Sequence, residues 1–338
     1  MIVQAWPKRA LALTLVVIAS MVAALLIGRY PVSIADIGAV VAAKFGGGPS
    51  GRTPSIESVI LNIRGPRVIA AVLCGGALAI AGAAFQGLFR NPLVSPDILG
   101  ASSGAALGAV VGIYFSLGIF GIQALAFVGG IIAVSAVYLI GARLRSGDPT
   151  LALVLTGVVV GALLGSGVGL MKYLADPYNQ LPAMTFWLLG SLAGVAPPDL
   201  PPLLGPIGVG AAALIALRWR MNVMSLPDEE ARALGASTSL LRAAIVAAAT
   251  FVTAATVATA GVIGWVGLVA PHLARFIVGP DFSRLVPASA LLGGLYLLAI
   301  DTLARTLAPI EIPLGILTAL IGTPFFIALL KSAHKSWS

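Results

Sequence analysis

Three arginines stand out in this sequence because their side chains could bind carboxylates. Arg64 and Arg67 lie three positions apart and directly precede an uncharged run, 68–89. Arg305 follows another long apolar segment, and Asp301 lies one helical turn before it, where an i,i+4 ion pair is its expected role. A guanidinium presents its N–H donors in a planar fork that matches the two oxygens of a carboxylate. These positions therefore predict sites for acidic groups at the ends of two apolar segments.

The other residues do not form a recognisable catalytic or metal-binding motif. No lysine follows a glycine, so the chain has no phosphate-binding loop of the Walker A type. His272 and His334 are far apart, and no group of Cys, His and acidic residues has metal-ligand spacing. The single cysteine, Cys74, lies inside an apolar run and is interpreted as core filler. We therefore expect no catalytic residue, no metal site and no cofactor in this chain, and any energy that it uses must come from elsewhere.

The elements that must position the arginines are membrane-spanning helices. The chain of 338 residues is 59% hydrophobic and 9% charged, a composition foreign to soluble domains. Roughly 20 apolar residues cross the bilayer core as a helix. The first uncharged run follows Lys8 and Arg9 but lacks a small-residue cleavage site, so we interpret it as a span and not as a signal peptide. We predict an all-α membrane protein with a single domain, 1–338, and about ten spans: 10–28, 68–89, 98–115, 121–142, 150–171, 200–218, 239–260, 262–278, 286–306 and 313–331.

The distribution of basic residues predicts the orientation of these spans. With ten spans, thirteen of the 20 lysines and arginines fall on the face that holds both chain ends, and the positive-inside rule assigns that face to the cytoplasm. The segment of about 29–66 is then external. Arg64, Arg67 and Arg305 are interpreted as a docking site for acidic residues of an external partner, with lipid contact or ordinary surface charge as the alternative. The basic residues that give the net charge of +8 flank the spans. Such residues set the orientation of the spans and contact anionic lipid headgroups, so the charge does not favour nucleic-acid binding.

A polar segment between the sixth and seventh spans, 226–235, predicts a short helix on the cytoplasmic face. Pro227 opens it, Asp228 and Glu229 fall in its first turn, and Gly235 ends it. The segment is too short and too polar to span a membrane. We interpret it as a surface helix that inserts into a cleft of a cytoplasmic partner and transmits motion, with an ordinary helical loop as the alternative.

Several short motifs occur in order along the whole chain. They are Arg64-Gly65-Pro66-Arg67, Gly82 through Gln86-Gly87, Asn91-Pro92-Leu93, Leu99 to Ala105, Phe186 to Ser191, Ala231 to Gly235, Gly264 to His272, and Pro313 to Ala319. With these motifs the sequence resembles, over essentially its whole length, the FecCD family of permeases. That family comprises the membrane subunits of bacterial ABC importers for iron–siderophores, haem and cobalamin.

The resemblance implies the partners and the architecture. It implies the fold of a type II ABC importer permease, with ten helices per subunit and a path at the interface of two permease copies, here expected as a homodimer. Two ATP-binding cassette ATPase subunits would bind the Mg-ATP and power the transport. A periplasmic or lipid-anchored substrate-binding protein would deliver the substrate.

The resemblance also implies roles for particular residues. Arg64, Arg67 and Arg305 resemble arginines that pair with glutamates of the binding protein. Asn91 and Leu93 resemble a cytoplasmic gate. Thr150 falls at a second gate, although its neighbour is leucine where the family can have serine. The segment 226–235 resembles the coupling helix that sits in the ATPase cleft, and its expected contact residues are Leu226, Asp228, Glu229, Ala231, Arg232, Leu234 and Gly235.

The resemblance therefore predicts a permease that imports a metal chelate such as a ferric siderophore or haem. It would lie in the cytoplasmic (inner) membrane of a bacterium or archaeon, with both chain ends in the cytoplasm. Cobalamin and a molybdate-type oxyanion stay open as substrates, because a path lined by small neutral side chains leaves selectivity to the binding protein. A stand-alone secondary carrier is an alternative of another class, and it would transport without a nucleotide-binding partner. A membrane scaffold or sensor that transports nothing is a further alternative.

Overall fold

The computed structural model describes residues 6–143 and 149–335. Throughout these residues the regular structure is helical. In chain order the helices are α1 (Trp6–Leu26), α2 (Ile34–Gly46), α3 (Pro54–Ser58), α4 (Gly65–Leu88), α5 (Ala101–Tyr114), α6 (Ile119–Arg143), α7 (Pro149–Leu174), α8 (Gln180–Leu189), α9 (Leu200–Met224), α10 (Asp228–Ala233), α11 (Thr238–Ala260), α12 (Val266–Val278), α13 (Phe282–Ala304) and α14 (Leu314–Lys335).

Each of the ten predicted spans coincides with one of these helices, so the prediction of an all-α membrane protein is confirmed. Seven helical segments of the described chain are long and apolar enough to cross a bilayer, whereas α5, α12 and the apolar part of α14 are shorter than 18 residues. A helix of 13 residues such as α12 covers about 20 Å at 1.5 Å per residue, less than the ~30 Å of the hydrocarbon core. The count of ten spans is therefore approximate. The predicted cytoplasmic chain ends and the loop 144–148 lie outside the described residues.

The second predicted span begins earlier than the hydropathy indicates. Helical structure runs without a break from Pro54 to Leu88, with a π-helical turn over Val59–Arg64. Pro54 fits the first turn of a helix, where its missing N–H is not needed, and the turn ends at Gly65, where a Cβ would lie 2.5 Å from the carbonyl oxygen of Ile60. The polar residues before Arg64 are therefore helical as well, because helices continue past the apolar core of a membrane.

Helix α4 forms the centre of the molecule. Its side chains are buried along nearly its whole length, and it packs against α9, α11, α12 and α13. The contact with α13 is backbone to backbone, because a Cβ added to Gly75 would overlap the carbonyl oxygen of Gly293, and the reverse also holds. Small residues permit this close approach in a membrane, where apolar burial contributes little to helix association.

A second group of helices, α5, α6 and α7, packs beside this centre. Gly104 of α5 and Gly129 of α6 meet in a reciprocal backbone contact of the same kind. Gly157 of α7 is closely packed, because a Cβ there would overlap the carbonyl oxygen of Ile98. Among the described residues, a Cβ at Gly161 would come no closer than 3.8 Å, to the hydroxyl oxygen of Ser103, and a Cβ at Gly165 would meet nothing within 4 Å. Beyond Gly157, this glycine-bearing face of α7 is therefore loosely packed against the described chain.

Candidate functional site

The three predicted docking arginines lie together at one end of the molecule. Arg64 comes from the π-helical turn, Arg67 from the first turn of α4, and Arg305 from the C-terminal cap of α13. All three are less than 10% exposed. With Glu311 they line a recess of about 230 Å³. We call these three arginines with Asp301 and Glu311 the arginine cluster.

Arg67 is held by two carboxylates of very different exposure. Its Nε donates to Oδ1 of Asp301 and its Nη1 to Oε1 of Glu311, both at 2.8 Å. The side chain of Asp301 is completely buried, whereas that of Glu311 is 40% exposed. The predicted pair between Asp301 and Arg305 is present but longer, at 3.7 Å. The main partner of Asp301 is therefore Arg67, which is 234 positions away in the sequence.

Arg64 and Arg305 bind the C-terminal end of α1 and the segment that follows it. Arg64 donates from Nη1 to the carbonyl oxygen of Leu25 and from Nη2 to that of Tyr30, both at 2.7 Å. Arg305 donates from Nη1 to the carbonyl oxygen of Ile27 at 2.5 Å and from Nη2 to that of Ala24. The last carbonyl groups of a helix have no partner within the helix, and they carry partial negative charge. The two arginines therefore satisfy and anchor a helix that buries few of its own side chains.

The cluster combines three cations with two carboxylates, and Arg29 adds a fourth cation to the lining of the recess, so two positive charges are in excess there. The recess opens beside Tyr30, which is 40% exposed, and Ile63, which is 54% exposed. Such a recess can take a further carboxylate with a favourable electrostatic energy. Sequence reasoning missed Glu311, and its position in the short segment between the last two spans was the available signal.

The predicted gate residues lie at the opposite end of α4, about 36 Å away by the helical rise over the 24 residues of α4. Asn91 and Leu93 are exposed, and the side-chain oxygen of Asn91 accepts a hydrogen bond from the backbone N–H of Leu93 at 2.9 Å. This local bond fixes a tight turn. Thr150 is 9% exposed in the first turn of α7, and α7 packs against the segment that follows the turn, Pro96–Leu99.

Asp97 is an acidic residue of this region that sequence reasoning missed. It precedes α5 and accepts a hydrogen bond from the hydroxyl of Ser102. Burial raises the pKa of Asp97 above its usual value, and the bond from Ser102 lowers it in part. No ion pair of Asp97 with a described basic residue occurs. The carboxyl is therefore held by one hydroxyl without a charged partner in the described chain.

The predicted coupling segment forms a helix, α10, that is shorter than the predicted range of 226–235. Its helical residues are Asp228–Ala233, because Gly235 adopts φ +80° and ends it. Ala231 is buried, and Asp228 accepts a hydrogen bond from Arg242 of α11 at 2.9 Å. These two contacts fix α10 on the bundle.

The opposite surface of α10 is largely exposed. Glu229, Glu230 and Arg232 are exposed, and Leu234, which caps the helix, is 67% exposed. Arg232 also donates from Nε to the hydroxyl of Thr238 in α11 at 3.3 Å.

A hydrogen bond connects the turn after α4 with the segment before α10. Arg90 donates from Nη1 to the carbonyl oxygen of Leu226 at 3.3 Å. Arg90 itself has a positive φ of 50°, which is uncommon for a residue other than glycine. The last turn of α9, which leads into α10, is also tied to the start of α13, because Asn222 donates to Asp281 and accepts from the N–H of Phe282, both at 2.9 Å. A displacement of α10 would therefore be felt at the turn after α4 and at the start of α13.

Cys74 lies in the core, as expected, and His272 packs against aromatic rings. His272 is half-buried and its ring contacts Phe276 and Phe325 at centroid distances of 5.0 and 6.5 Å. Cys74 is fully buried. Within the described residues, no three His, Cys or acidic side chains are grouped so that they could hold a metal ion.

Comparison with known proteins identifies the same family as the sequence motifs. The model of the FecCD transport family matches residues 15–332. The molybdate import system permease protein of Haemophilus influenzae is 37% identical, over 98% of this chain and 97% of that protein. The cobalamin import system permease protein of Halobacterium salinarum is 42% identical, over 82% of this chain and 75% of that protein. An inward-facing structure of a putative metal-chelate type ABC transporter superimposes with a TM-score of 0.87 at 36% identity, over 97% of this chain and 100% of that one.

Proposed function

The chain belongs to the FecCD transport family, and we propose that it is the permease subunit of an ATP-driven importer that carries a metal chelate, such as a ferric siderophore or haem, across the cytoplasmic membrane. The observation that carries this proposal is the superposition on a metal-chelate type ABC transporter over 97% of the chain. A molybdate-type oxyanion is the second candidate substrate, because the molybdate permease is similar over 98% of the chain. Cobalamin is a third, on the similarity to the cobalamin permease.

Docking of a substrate-binding protein is assigned to the arginine cluster. With Arg29 the recess has two positive charges in excess, and Arg64 and Arg305 are fixed by backbone carbonyls. A carboxylate of the partner would approach Arg67 beside Glu311, the exposed one of its two acidic partners. The pairing is charge-assisted, so it contributes specificity in addition to affinity.

Coupling to an ATPase is assigned to α10. The ATPase cleft would receive Leu234 and the exposed charged side chains beside it, while Ala231 and Asp228 hold α10 to the bundle. Motion of α10 would pass through the bond between Arg90 and the carbonyl of Leu226 to the turn that carries the gate. Asn91 and Leu93 would then move relative to Thr150 at the start of α7.

A second copy of the permease completes the path. Helix α7 exposes a long apolar face, including Val159 at 69% and Leu163 at 72% exposure. Gly165 and Gly169 of the same helix have room for a Cβ with no described atom within 4 Å. A face of small and aliphatic residues suits helix packing inside a membrane. The path would run between the two copies of α7.

The test of this function is a purification of the tagged chain from native membranes in mild detergent, followed by an assay of Mg-ATP turnover. Recovery of an ATPase in equal copy number is expected, with turnover that rises when a loaded binding protein is added. The binding protein is loaded in turn with a ferric chelate, haem, cobalamin or molybdate. The ligand that stimulates ATP turnover most strongly is the substrate. A chain that purifies alone, and that transports in vesicles without nucleotide, would instead establish the stand-alone carrier.

The docking site is tested separately with a single introduced cysteine. Because Cys74 is the one native cysteine and is buried, Tyr30→Cys at the recess can be labelled selectively with a bulky maleimide. Labelling should abolish stimulation of ATP turnover by the binding protein and leave basal turnover unchanged. Phe115→Cys is the control, because Phe115 is 67% exposed on the same predicted external side but outside the recess. Undiminished stimulation after labelling at position 30 would refute the docking assignment.

A further inference from the structure

An open cavity of about 480 Å³ lies on the side of the bundle between α6 and α11. It is lined by Ile131, Val134, Ser135, Tyr138, Leu139, Ala243, Val246, Ala247, Thr250 and Phe251. On both helices these residues recur three, four and seven positions apart, so each helix contributes one continuous face. A T-shaped contact of Phe127 with Phe251, at a centroid distance of 5.2 Å, forms one end of the cavity. We call this cavity the α6–α11 groove.

The lining of the α6–α11 groove is apolar and open to the side. It contains no charged residue, and the hydroxyl of Thr250 is already used in a hydrogen bond to the carbonyl oxygen of Val246 at 2.7 Å. Leu139 is 59% exposed at its edge, and Ala247 is exposed on its floor. From Ile131 to Leu139 the helical rise is about 12 Å, close to the ~15 Å depth of one leaflet of the hydrocarbon core.

The end of the groove nearer the predicted cytoplasmic side is basic. Arg143 lies one turn beyond Leu139 on α6, is exposed, and makes no hydrogen bond or ion pair with any described residue. Helix α9, which packs against α11, carries Arg218 and Arg220 in its C-terminal part, on the same predicted cytoplasmic side. Trp219 between them is 71% exposed, and tryptophan is enriched where a helix meets the headgroup layer.

The chemistry of the groove matches the two parts of a phospholipid. Its lining carries no charge, as an acyl chain requires. Arg143 at one end is exposed and has no partner among the described residues, and basic pockets between spans on the cytoplasmic side bind anionic headgroups.

We propose that the α6–α11 groove is a specific site for one anionic phospholipid of the cytoplasmic leaflet. One acyl chain lies along the groove between Tyr138 and Ala247 and reaches the aromatic pair of Phe127 with Phe251. The headgroup phosphate binds Arg143. The site is remote from the arginine cluster and belongs to the lipid-facing side of α6 and α11.

The test is a lipid titration of the full-length chain, washed free of lipid in mild detergent, followed by native mass spectrometry. The probes are dioleoyl phosphatidylglycerol and dioleoyl phosphatidylcholine, which share acyl chains and differ in headgroup charge. The chain should bind one phosphatidylglycerol with higher affinity than phosphatidylcholine. Each basic residue that contacts the headgroup should contribute about a fivefold preference. Arg143→Gln should remove this preference, whereas Lys8→Gln, at an exposed lysine at the same predicted face, should not.

The chain-binding part of the site is tested by filling the groove. Ala247→Phe from the floor and Ser135→Phe from the opposite wall should each abolish the specific binding of both lipids. Ala212→Phe on an exposed position of α9 outside the groove should have no effect. Circular dichroism and the melting temperature identify any variant that misfolds. If one of the two groove-filling variants misfolds, the result of the other one tests the proposal. Equal affinity for the two lipids in the native chain, or unchanged binding in a folded groove-filled variant, would overturn the proposal.

Discussion

The pairing of Arg67 with Asp301 is an ion pair of two side chains that are nearly or fully removed from solvent. Asp301 is 0% exposed and Arg67 is 6% exposed. A buried pair gains little net free energy over apolar residues, but the loss of one partner leaves a charge that water cannot reach. Glu311 contacts the same arginine from a position that is 40% exposed, where solvent screens the interaction. The two acidic partners of Arg67 therefore contribute to stability in different ways.

Arg67→Met should destabilise the chain strongly. Removing the guanidinium leaves the carboxylate of Asp301 buried and unpaired, with an expected cost of about 3–5 kcal/mol. The melting temperature in detergent measures the effect, and the double variant Arg67→Met with Asp301→Asn should recover part of it.

Glu311→Gln is the matched contrast at the exposed partner. It should cost less than about 1 kcal/mol. If both single variants lowered the melting temperature equally, the distinction between the buried and the exposed partner would be wrong.

Asp97 provides a prediction for pH. Its pKa in the folded chain is raised above the ordinary 3.8, so ionisation of this carboxyl weakens the fold at all pH values above the raised pKa. Asp97→Asn cannot ionise and keeps an oxygen that accepts from Ser102. The variant should therefore melt at a higher temperature than the native chain at pH 7 to 8. This advantage should shrink as the pH falls through the raised pKa and vanish below the ordinary value. A melting difference that does not change with pH would contradict the assignment.

Among the helices, the close contact of α4 with α13 depends on the absence of side chains. Gly75 and Gly293 face each other so that a Cβ on either would overlap the carbonyl oxygen of the other. Backbone atoms cannot move aside like the end of a flexible side chain, so the helices must separate. The centre of the molecule is therefore sensitive to the smallest substitution.

Gly75→Ala should destabilise the chain by about 1–3 kcal/mol, the usual cost of overpacking. The matched control is Gly165→Ala on α7, where an added Cβ meets nothing within 4 Å. The control should be neutral or stabilise the helix by up to about 1 kcal/mol, since alanine has the higher helix propensity. Thermal melting of both variants in detergent measures the difference, and an equal effect would argue against the close contact.

At the scale of the whole molecule, α10 is the proposed contact with an ATPase. Leu234→Asp places a charge on the surface proposed to enter the ATPase cleft, and it should reduce the co-purified ATPase at least tenfold, because a buried charge without a partner is costly. Leu240→Asp is the control: Leu240 is 69% exposed and Leu234 is 67% exposed, but Leu240 lies beyond Gly235 in α11. Normal recovery of the ATPase with Leu234→Asp would place the contact elsewhere.

The class of the molecule, the approximate positions of its ten spans and its family followed from the sequence. A bilayer core of fixed thickness requires long uncharged runs, and such runs are read directly along the chain, as in 68–89 and 239–260. The short helix α10 was also predictable, because Pro227 and Gly235 bound it locally. The roles of the individual arginines could be stated only through resemblance, and the docking and gating roles stay predictions.

The partners of those arginines required the folded chain. Nothing local links Arg67 to Asp301, or Arg305 to the carbonyls at the end of α1, because these groups are more than 230 positions apart. The helix also begins at Pro54 and not at Val68, because backbone hydrogen bonds continue beyond the apolar run. The α6–α11 groove likewise exists only where two helices diverge, so no single segment encodes it. Hydropathy acts on each segment separately, whereas charge pairing, helix capping and cavities depend on which segments meet.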